Sequence, residues 1–533
     1  MTQAKNVDAK SLKAWLSDDR ELALFDIREL GPYSEGHPFF AVPLPYSRLE
    51  LDAERLAPRK SVRMVLLDGG DGLADRAAAR LAPLGFTDIH VLAGGAPAWK
   101  AAGYTLYEGV NVPSKAFGEV VEIERHTPRI TADDLIAMQA RQEDMVIVDG
   151  RTWAEYQIFN IPGGISCPNA ELPLRIDRLA PNPKTKIVVN CAGRTRSIIG
   201  AQTLIDFGVP NEVVALENGT QGWWLKGLKV EKGADRQAPA ATGDAAALAS
   251  KREKSAAHAK RHGVRTLTAA DVQARLNDLG RTTYLFDIRT AEEFAKGAIT
   301  GFTHAPGGQL QQATDQWVGV RGAQIVLADA DGIRAPMVAA WLRQLGHAAD
   351  VMADDAAARQ AFAASGIAAK RSPAFAADRI RLAEISPTEL ANGLAAGTLE
   401  AIDLRSSAEF LKQRIPGSRW SIRPVVATAI RDSSRPVVLI ADDPNIARIA
   451  ALDVREAGVG DVRLLAGGIG ACAAADLKLD SGGTVPPDRE RIDFIFHTLG
   501  RNEGNLDAAR AYIAWEVGLV DQLDAQERGA FRL

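Results

Sequence analysis

Four copies of one pattern run through the 533 residues, and that repetition limits the folds open to the chain more than any other feature. Each copy opens with a short apolar run ending in Asp-x-Arg: LALFDIR at Asp26, MVIVDGR at Asp149, TYLFDIR at Asp287 and LEAIDLR at Asp403. An aromatic stands five residues after each arginine, at Tyr33, Tyr156, Phe294 and Phe410. A second apolar run ends at Asp68, Cys191, Asp329 and Asp442, which lie 42, 42, 42 and 39 residues beyond the first aspartate. A polar loop, a helical stretch closing in or near Gly, and a short strand with a turn (HVLAGG, VALENG, DVMADD and RLLAGG) complete each copy.

Apolar runs without alternation, separated by helical stretches, are what a parallel sheet covered on both faces requires. The expected fold class is therefore α/β: four tandem domains, each a small parallel sheet flanked by helices. Boundaries are expected at 7–110, 129–232, 264–370 and 382–480. Segment 233–263, rich in Ala and charge, reads as a linker that can be partly helical. Shorter joints fall near 111–128 and 371–381. Residues 486–533 form a C-terminal helical extension. Its Leu506, Ile513, Val517 and Val520 are spaced by seven, four and three residues, which predicts an amphipathic helix packing on the fourth domain or on a partner.

Composition excludes several classes. Hydrophobic content of 46%, charged content of 24% and a net charge of −4 fit a soluble globular protein and offer no basic face to nucleic acid. Three cysteines, Cys167, Cys191 and Cys472, are too few for a disulfide framework and contain no CxxC pair for zinc. The N-terminal stretch lacks an export signal's apolar core, and no apolar run reaches the roughly 20 residues that cross a bilayer. The expectation is a soluble cytoplasmic protein with no cofactor, no metal and no membrane partner.

One of the four loops differs chemically. In NCAGRTRSIIGAQTL, Cys191 ends a strand and precedes a glycine-containing loop and then a helix. Loop amides and a helix N-terminus present partial positive charge, which favours thiolate over thiol. A thiolate there can attack a sulfur atom and keep it as a persulfide whose charge the same amides stabilise. The expected binding loop is Ala192, Gly193, Arg194, Thr195, Arg196 and Ser197. Arg194 and Arg196 either hold an anionic substrate or pair with nearby carboxylates. Asp149 and Arg151, kept in every copy, are expected to form a supporting ion pair beneath the loop. Trp223 and Trp224 are read as core, and Cys167, just after the Ile161-Pro162-Gly163 turn, as packing that can lie near the loop.

The Asp-x-Arg opening, the following aromatic, the Ile-Pro-Gly turn, the Cys-initiated loop and the Leu216-to-Gly219 close followed by Trp223 together resemble the rhodanese homology domain. The resemblance covers all four copies, and of these only the second carries the family's nucleophile. It implies sulfane-sulfur transfer from a small anionic donor such as thiosulfate to a thiol or cyanide acceptor, through a Cys191 persulfide. A protein can be the donor or acceptor. Asn160 departs from the family, which often has His before the turn. The domains with Asp68, Asp329 and Asp442 at the nucleophile position are expected to be catalytically silent, because a carboxylate cannot carry transferable sulfur.

Two rivals follow from the same residues. A Cys-dependent phosphatase would place Arg six positions after the nucleophile to clamp the phosphoryl oxygens, where this chain has Ser197. A persulfide carrier, with the silent domains as docking surfaces, would use the same Cys191.

Overall fold

Successive residues of a strand face opposite sides of the sheet, so a strand that is apolar throughout must be covered on both faces. The computed structural model, which describes residues 4–353, 356–364 and 375–533, shows this four times. Each repeat contains a five-stranded parallel sheet whose strands, counted along the chain, lie side by side in the order 1-5-4-2-3. In the second repeat these strands are Arg129–Ile130, Met145–Asp149, Ile165–Ser166, Lys186–Asn190 and Val213–Leu216. Val146, Val148, Ile187, Val189, Val213 and Ala215 point into one core cluster. Ile147, Val188, Val214 and Leu216 point into another, beneath Trp223. Each fully buried aliphatic side chain contributes about 1.5–3 kcal/mol.

The Asp-x-Arg motif closes the second strand of each repeat. Arg151 donates from Nε to Asp149 Oδ1 at 2.9 Å and from Nη2 to Asp149 Oδ2 at 2.7 Å, and Nη2 also reaches the Phe159 carbonyl. The same arginine-to-carbonyl reach recurs at Arg28 to Gly36, Arg289 to Gly297 and Arg405 to Gln413. The pair therefore ties the strand end to the turn eight residues on, and it does so whether or not a cysteine follows in the loop. The tyrosines of the first two repeats add a hydroxyl bond to a later carbonyl, from Tyr33 to Ala41 and from Tyr156 to Gly164. Asn160, where the family often has His, is buried and pairs through its backbone with Glu231.

The chain divides into two compact units. One holds the first and fourth repeats. Within it, Arg423 is fully buried and donates to both Glu50 carboxylate oxygens and to Asp453. The other holds the second and third repeats with the Thr498–Leu533 tail. There, Arg334 reaches Glu171 at 2.7 Å and Trp341 Nε1 donates to Thr203 Oγ1 at 2.8 Å.

Segments read as connections carry structure of their own. The expected 233–263 linker contains the helix Ala245–Arg261, which is fastened down by Lys251 donating to the Leu174 carbonyl at 2.7 Å. The 111–128 joint is mostly the bridging helix Val112–Arg125, with Val112, Ala116, Phe117, Val120 and Val121 buried. Of the 371–381 joint, residues 371–374 lie outside the described residues, as do residues 365–370 of the third domain and the Asp354-Asp355 end of its closing turn.

The tail differs from expectation. Its helix Leu506–Val517 packs on the second repeat and the bridging helix, where the fourth domain or a partner was expected. It buries Ala509, Tyr512 and Glu516, while Leu506 and Val517 are 37% and 48% exposed. The buried face was chosen by a polar network rather than by the apolar stripe. No helix among the described residues is long and apolar enough to cross a membrane.

Candidate active site

Cys191 follows the strand Lys186–Asn190 and heads a short loop that enters the helix Thr195–Phe207. Parallel sheets gather their ligand-binding loops at the carboxyl ends of strands. The loop is pinned from beneath by the next turn: Thr220 donates to the Cys191 carbonyl from N and from Oγ1, both at 2.9 Å, and Gln221 N donates to the Ala192 carbonyl at 3.0 Å. Gly219 has φ +50°, and a Cβ there would sit 2.4 Å from the Cys191 carbonyl oxygen. This closing glycine is thus required by close approach to the Cys191 backbone as well as by turn geometry.

The Sγ of Cys191 accepts from Ser197 Oγ at 3.1 Å. Among the described residues, no carbonyl or side chain accepts from the main-chain amides of Ala192 to Ser197. The first and third repeats show what such amides do. Asp68, at the position Cys191 holds in the second repeat, accepts from Gly70 N at 2.8 Å and from Ala74 N at 2.9 Å. Asp329 accepts from Gly332 N at 2.9 Å and Ala335 N at 2.7 Å. Burial and the neighbouring Asp331 push the Asp329 carboxyl up, against those two amides. Ala74 and Ala335 stand six residues after their aspartates, as Ser197 stands six after Cys191. The loop is therefore an amide cradle, filled by the chain's own carboxyl group in two repeats and headed by a sulfur in the second.

Neither expected arginine is bare. Arg194 makes a two-bond clamp on Glu119, both at 2.8 Å, also bonds Glu122, and donates to Asn218 at 3.1 Å. Arg196 clamps Glu155 through two 2.8 Å bonds. Arg334, five residues after Asp329 as Arg196 is after Cys191, holds Glu293 in the same way. That pairing persists where the cysteine is gone, which marks it as an anchor of the loop.

Glu155 also closes a capping box with Thr152 at the start of its helix. Burial opposes its ionisation, but Arg196 and Thr152 outweigh it and lower the carboxyl to about 2. The folded value lies below the ordinary glutamate range, so the anchor's stabilisation is complete above about pH 4.3 and is lost as pH falls through about 2. Thermal unfolding of wild type and Glu155→Gln should therefore differ at pH 5 and converge toward pH 2.

Sequence reasoning missed the loop's cover. Glu119 and Glu122 come from the bridging helix, which approaches so closely at Gly118 that a Cβ there would lie 2.8 Å from Thr195 Cγ2. Tyr512 and Glu516 come from the tail helix. Thr195 Oγ1 donates to Glu516 Oε1 at 2.6 Å, Lys115 bonds Tyr512, and Arg501 lies 3.9 Å from the Tyr512 ring centre. Burial works against the Lys115 charge, and Tyr512 with Glu516 outweighs it and raises its pKa. A helical period was present in the bridging segment at Val112, Ala116, Phe117, Val120 and Val121. The acidic partners had no such marker. Cys191 is 2% exposed beneath this cover.

A Cβ at Gly193 would come 3.0 Å from Tyr512 Cε1 and 3.1 Å from Glu516 Oε2. Gly193→Ala is expected to cost about 1–3 kcal/mol through overpacking. Thermal denaturation should register the loss, and limited proteolysis should show faster cleavage of the tail.

The other two cysteines lie elsewhere. Cys167 sits in the core with Val189 and Ala201, and burial pushes its thiol well above the ordinary range. Cys472 lies in a core cluster of the fourth repeat. Trp223 is core, with Nε1 donating to the Lys229 carbonyl at 2.9 Å, and Trp224 lies against the Phe159 ring.

The rhodanese-like domain model matches residues 8–102, 131–226, 268–353 and 386–475. The chain is similar to the crystal structure of a thiosulfate sulfurtransferase from Pseudomonas aeruginosa, at 40% identity and TM-score 0.90 over 99% of both chains. A 105-residue stretch is 34% identical to an HTH-type transcriptional regulator of Mycobacterium tuberculosis; it covers 20% of this chain and 45% of that protein, so the chain spans under half of that relative. A Rhodopseudomonas palustris protein of unknown function, described as a possible tyrosine phosphatase, matches 22% of this chain and 93% of its own at 32% identity and TM-score 0.20. Four matched segments, four sheets of one strand order and a whole-chain structural counterpart lead to one assignment: the chain belongs to the rhodanese-like domain family, in four tandem copies.

Proposed function

We propose that the protein is a sulfurtransferase that moves sulfane sulfur from a donor such as thiosulfate to a thiophilic acceptor through a persulfide on Cys191. The observation that carries this reading is the amide cradle headed by the Cys191 sulfur, at the site where Asp68 and Asp329 receive the same loop amides in their own repeats. The whole-chain similarity to a thiosulfate sulfurtransferase supports the same chemistry.

In the first half-reaction the Cys191 thiolate attacks the outer sulfur of thiosulfate. The new Sγ–S bond forms as the sulfur–sulfur bond of thiosulfate breaks, and sulfite leaves with the electron pair. Loop amides stabilise the resulting persulfide anion. In the second, a nucleophilic acceptor attacks that outer sulfur, and Cys191 departs as thiolate. Direct anion contacts fall to the amides of Ala192 to Ser197 and to the Ser197 hydroxyl, while the Thr195 hydroxyl is already given to Glu516. Arg194 and Arg196 contribute charge at one remove because glutamates already hold them. Asp149 and Arg151 keep the strand end in place. The first, third and fourth repeats, with Asp68, Asp329 and Asp442, are silent in this chemistry.

Intact mass after incubation with thiosulfate tests the proposal. A gain of one sulfur, located to Cys191 by peptide mapping and removed by cyanide or a thiol, is expected. No gain, or sulfur located at Cys167 or Cys472, would overturn it. A persulfide that only a protein partner discharges would point to the carrier reading.

A further inference from the structure

Glu516 carries an unsolved polar requirement at the loop. Its side chain is 1% exposed. Oε1 is occupied by the Thr195 hydroxyl and lies 3.7 Å from Lys115 Nζ. Oε2 is buried and, among the described residues, has no hydrogen-bond partner. It faces the loop, 3.1 Å from the point where a Gly193 Cβ would stand. A buried carboxylate oxygen without a donor bears a desolvation cost that nothing offsets. The cover reaches the loop of the one repeat that carries the cysteine. A group that is unsatisfied in the resting site and adjacent to the reacting loop is satisfied when a donor arrives with the substrate.

The chemistry of the candidates narrows that donor. Thiosulfate, sulfite, cyanide ion and the persulfide itself are anions with no hydrogen to give. A thiol acceptor has one, and must lose it to become nucleophilic. We infer that Glu516 Oε2 takes the proton of an incoming thiol, so that the site is built for a thiol acceptor; this rests on the Cys191 persulfide reading. The S–H proton passes to Oε2, and the freed electron pair forms a bond to the outer sulfur of the persulfide. The Sγ–S bond breaks, its electron pair returns to Cys191 as thiolate, and the product leaves as a persulfide anion. The groups that face Glu516 are Lys115 and Glu119 from the bridging helix, Arg194 from the loop and Tyr512 from its own helix.

The test uses the full chain, loaded with thiosulfate, freed of donor, and discharged by glutathione or by sulfite, with persulfide loss followed by intact mass. Glu516→Gln should load one sulfur, discharge to glutathione about 100-fold more slowly than wild type at pH 7, and discharge to sulfite at pH 8.5 at the wild-type rate or faster. Its glutathione rate should climb about tenfold per pH unit below about 8.5, following the acceptor's own thiolate fraction. Equal slowing with both acceptors, failure of the variant to load, or a wild-type glutathione rate would overturn the assignment. Wild type alone supplies a second measurement: its glutathione rate should change little from pH 7 to 8, and a tenfold climb would overturn the role. Wild type that takes up no sulfur would instead remove the Cys191 reading itself.

Discussion

Cys191→Ser takes up no sulfur from thiosulfate, and its turnover falls by at least ~10³-fold, the scale on which removing a covalent nucleophile acts. A serine oxygen cannot replace sulfur as the bearer of a transferable persulfide. The fold should hardly notice. Ser is close in size to Cys, the Ser197 hydroxyl that bonds Sγ at 3.1 Å can bond an oxygen equally well, and the loop remains pinned by Thr220 and Gln221 through backbone atoms. A stability change of about 1 kcal/mol or less is expected. Intact mass and thermal denaturation on the same sample separate the two effects. A variant that loads sulfur as wild type does would refute the assignment of Cys191, whereas loss of the fold would show that the thiol is chiefly a packing group.

Arg194→Met is expected to cost about 3–5 kcal/mol, the range for removing one partner of a buried ion pair. The guanidinium lies between Glu119 and Glu122 and is itself buried. Without it, Glu119 keeps its burial and loses its counter-charge. Burial already raises the Glu119 carboxyl, and Arg194 is the chief group pulling it back down. In the variant the folded value rises further above the unfolded one, so the carboxyl's favourable contribution is present in acid and lost as pH climbs. The deficit relative to wild type should therefore be smallest near pH 4 and grow toward pH 7 in denaturant titrations. Adding Glu119→Gln should recover part of the loss, since a neutral amide needs no counter-charge. An Arg194→Met protein as stable as wild type at pH 7 would show that the clamp is not a structural tie of the loop.

The stretch that holds Cys191 and the two arginines was readable from sequence, and the partners of those arginines were not. Cys191, its loop and its helix occupy one continuous stretch, so spacing alone places them together. The carboxylates that neutralise Arg194 lie 75 and 72 residues earlier in the chain, and Glu516 bonds Thr195 across 321 residues. A sequence can place a guanidinium near a thiol, but whether that charge faces a substrate or a glutamate depends on which distant helix docks there. The tail shows the same limit. Leu506, Ile513, Val517 and Val520 make the better apolar stripe, yet Ala509, Tyr512 and Glu516 are buried, because the site it meets offers Lys115 and Thr195 rather than an apolar groove.

By itself, the sequence determined the repeated α/β unit, its parallel strands and the cysteine that heads the loop after the second repeat's fourth strand, since each follows from hydrophobic runs, turn residues and short-range spacing. Tertiary structure alone decided that the bridging and tail helices cover the loop and that its arginines are held by glutamates. It also left Glu516 Oε2, near Gly193, without a hydrogen-bond partner among the described residues. The physical reason is that local periodicity is written in neighbouring residues, whereas burial and charge pairing between distant segments are properties of the closed chain.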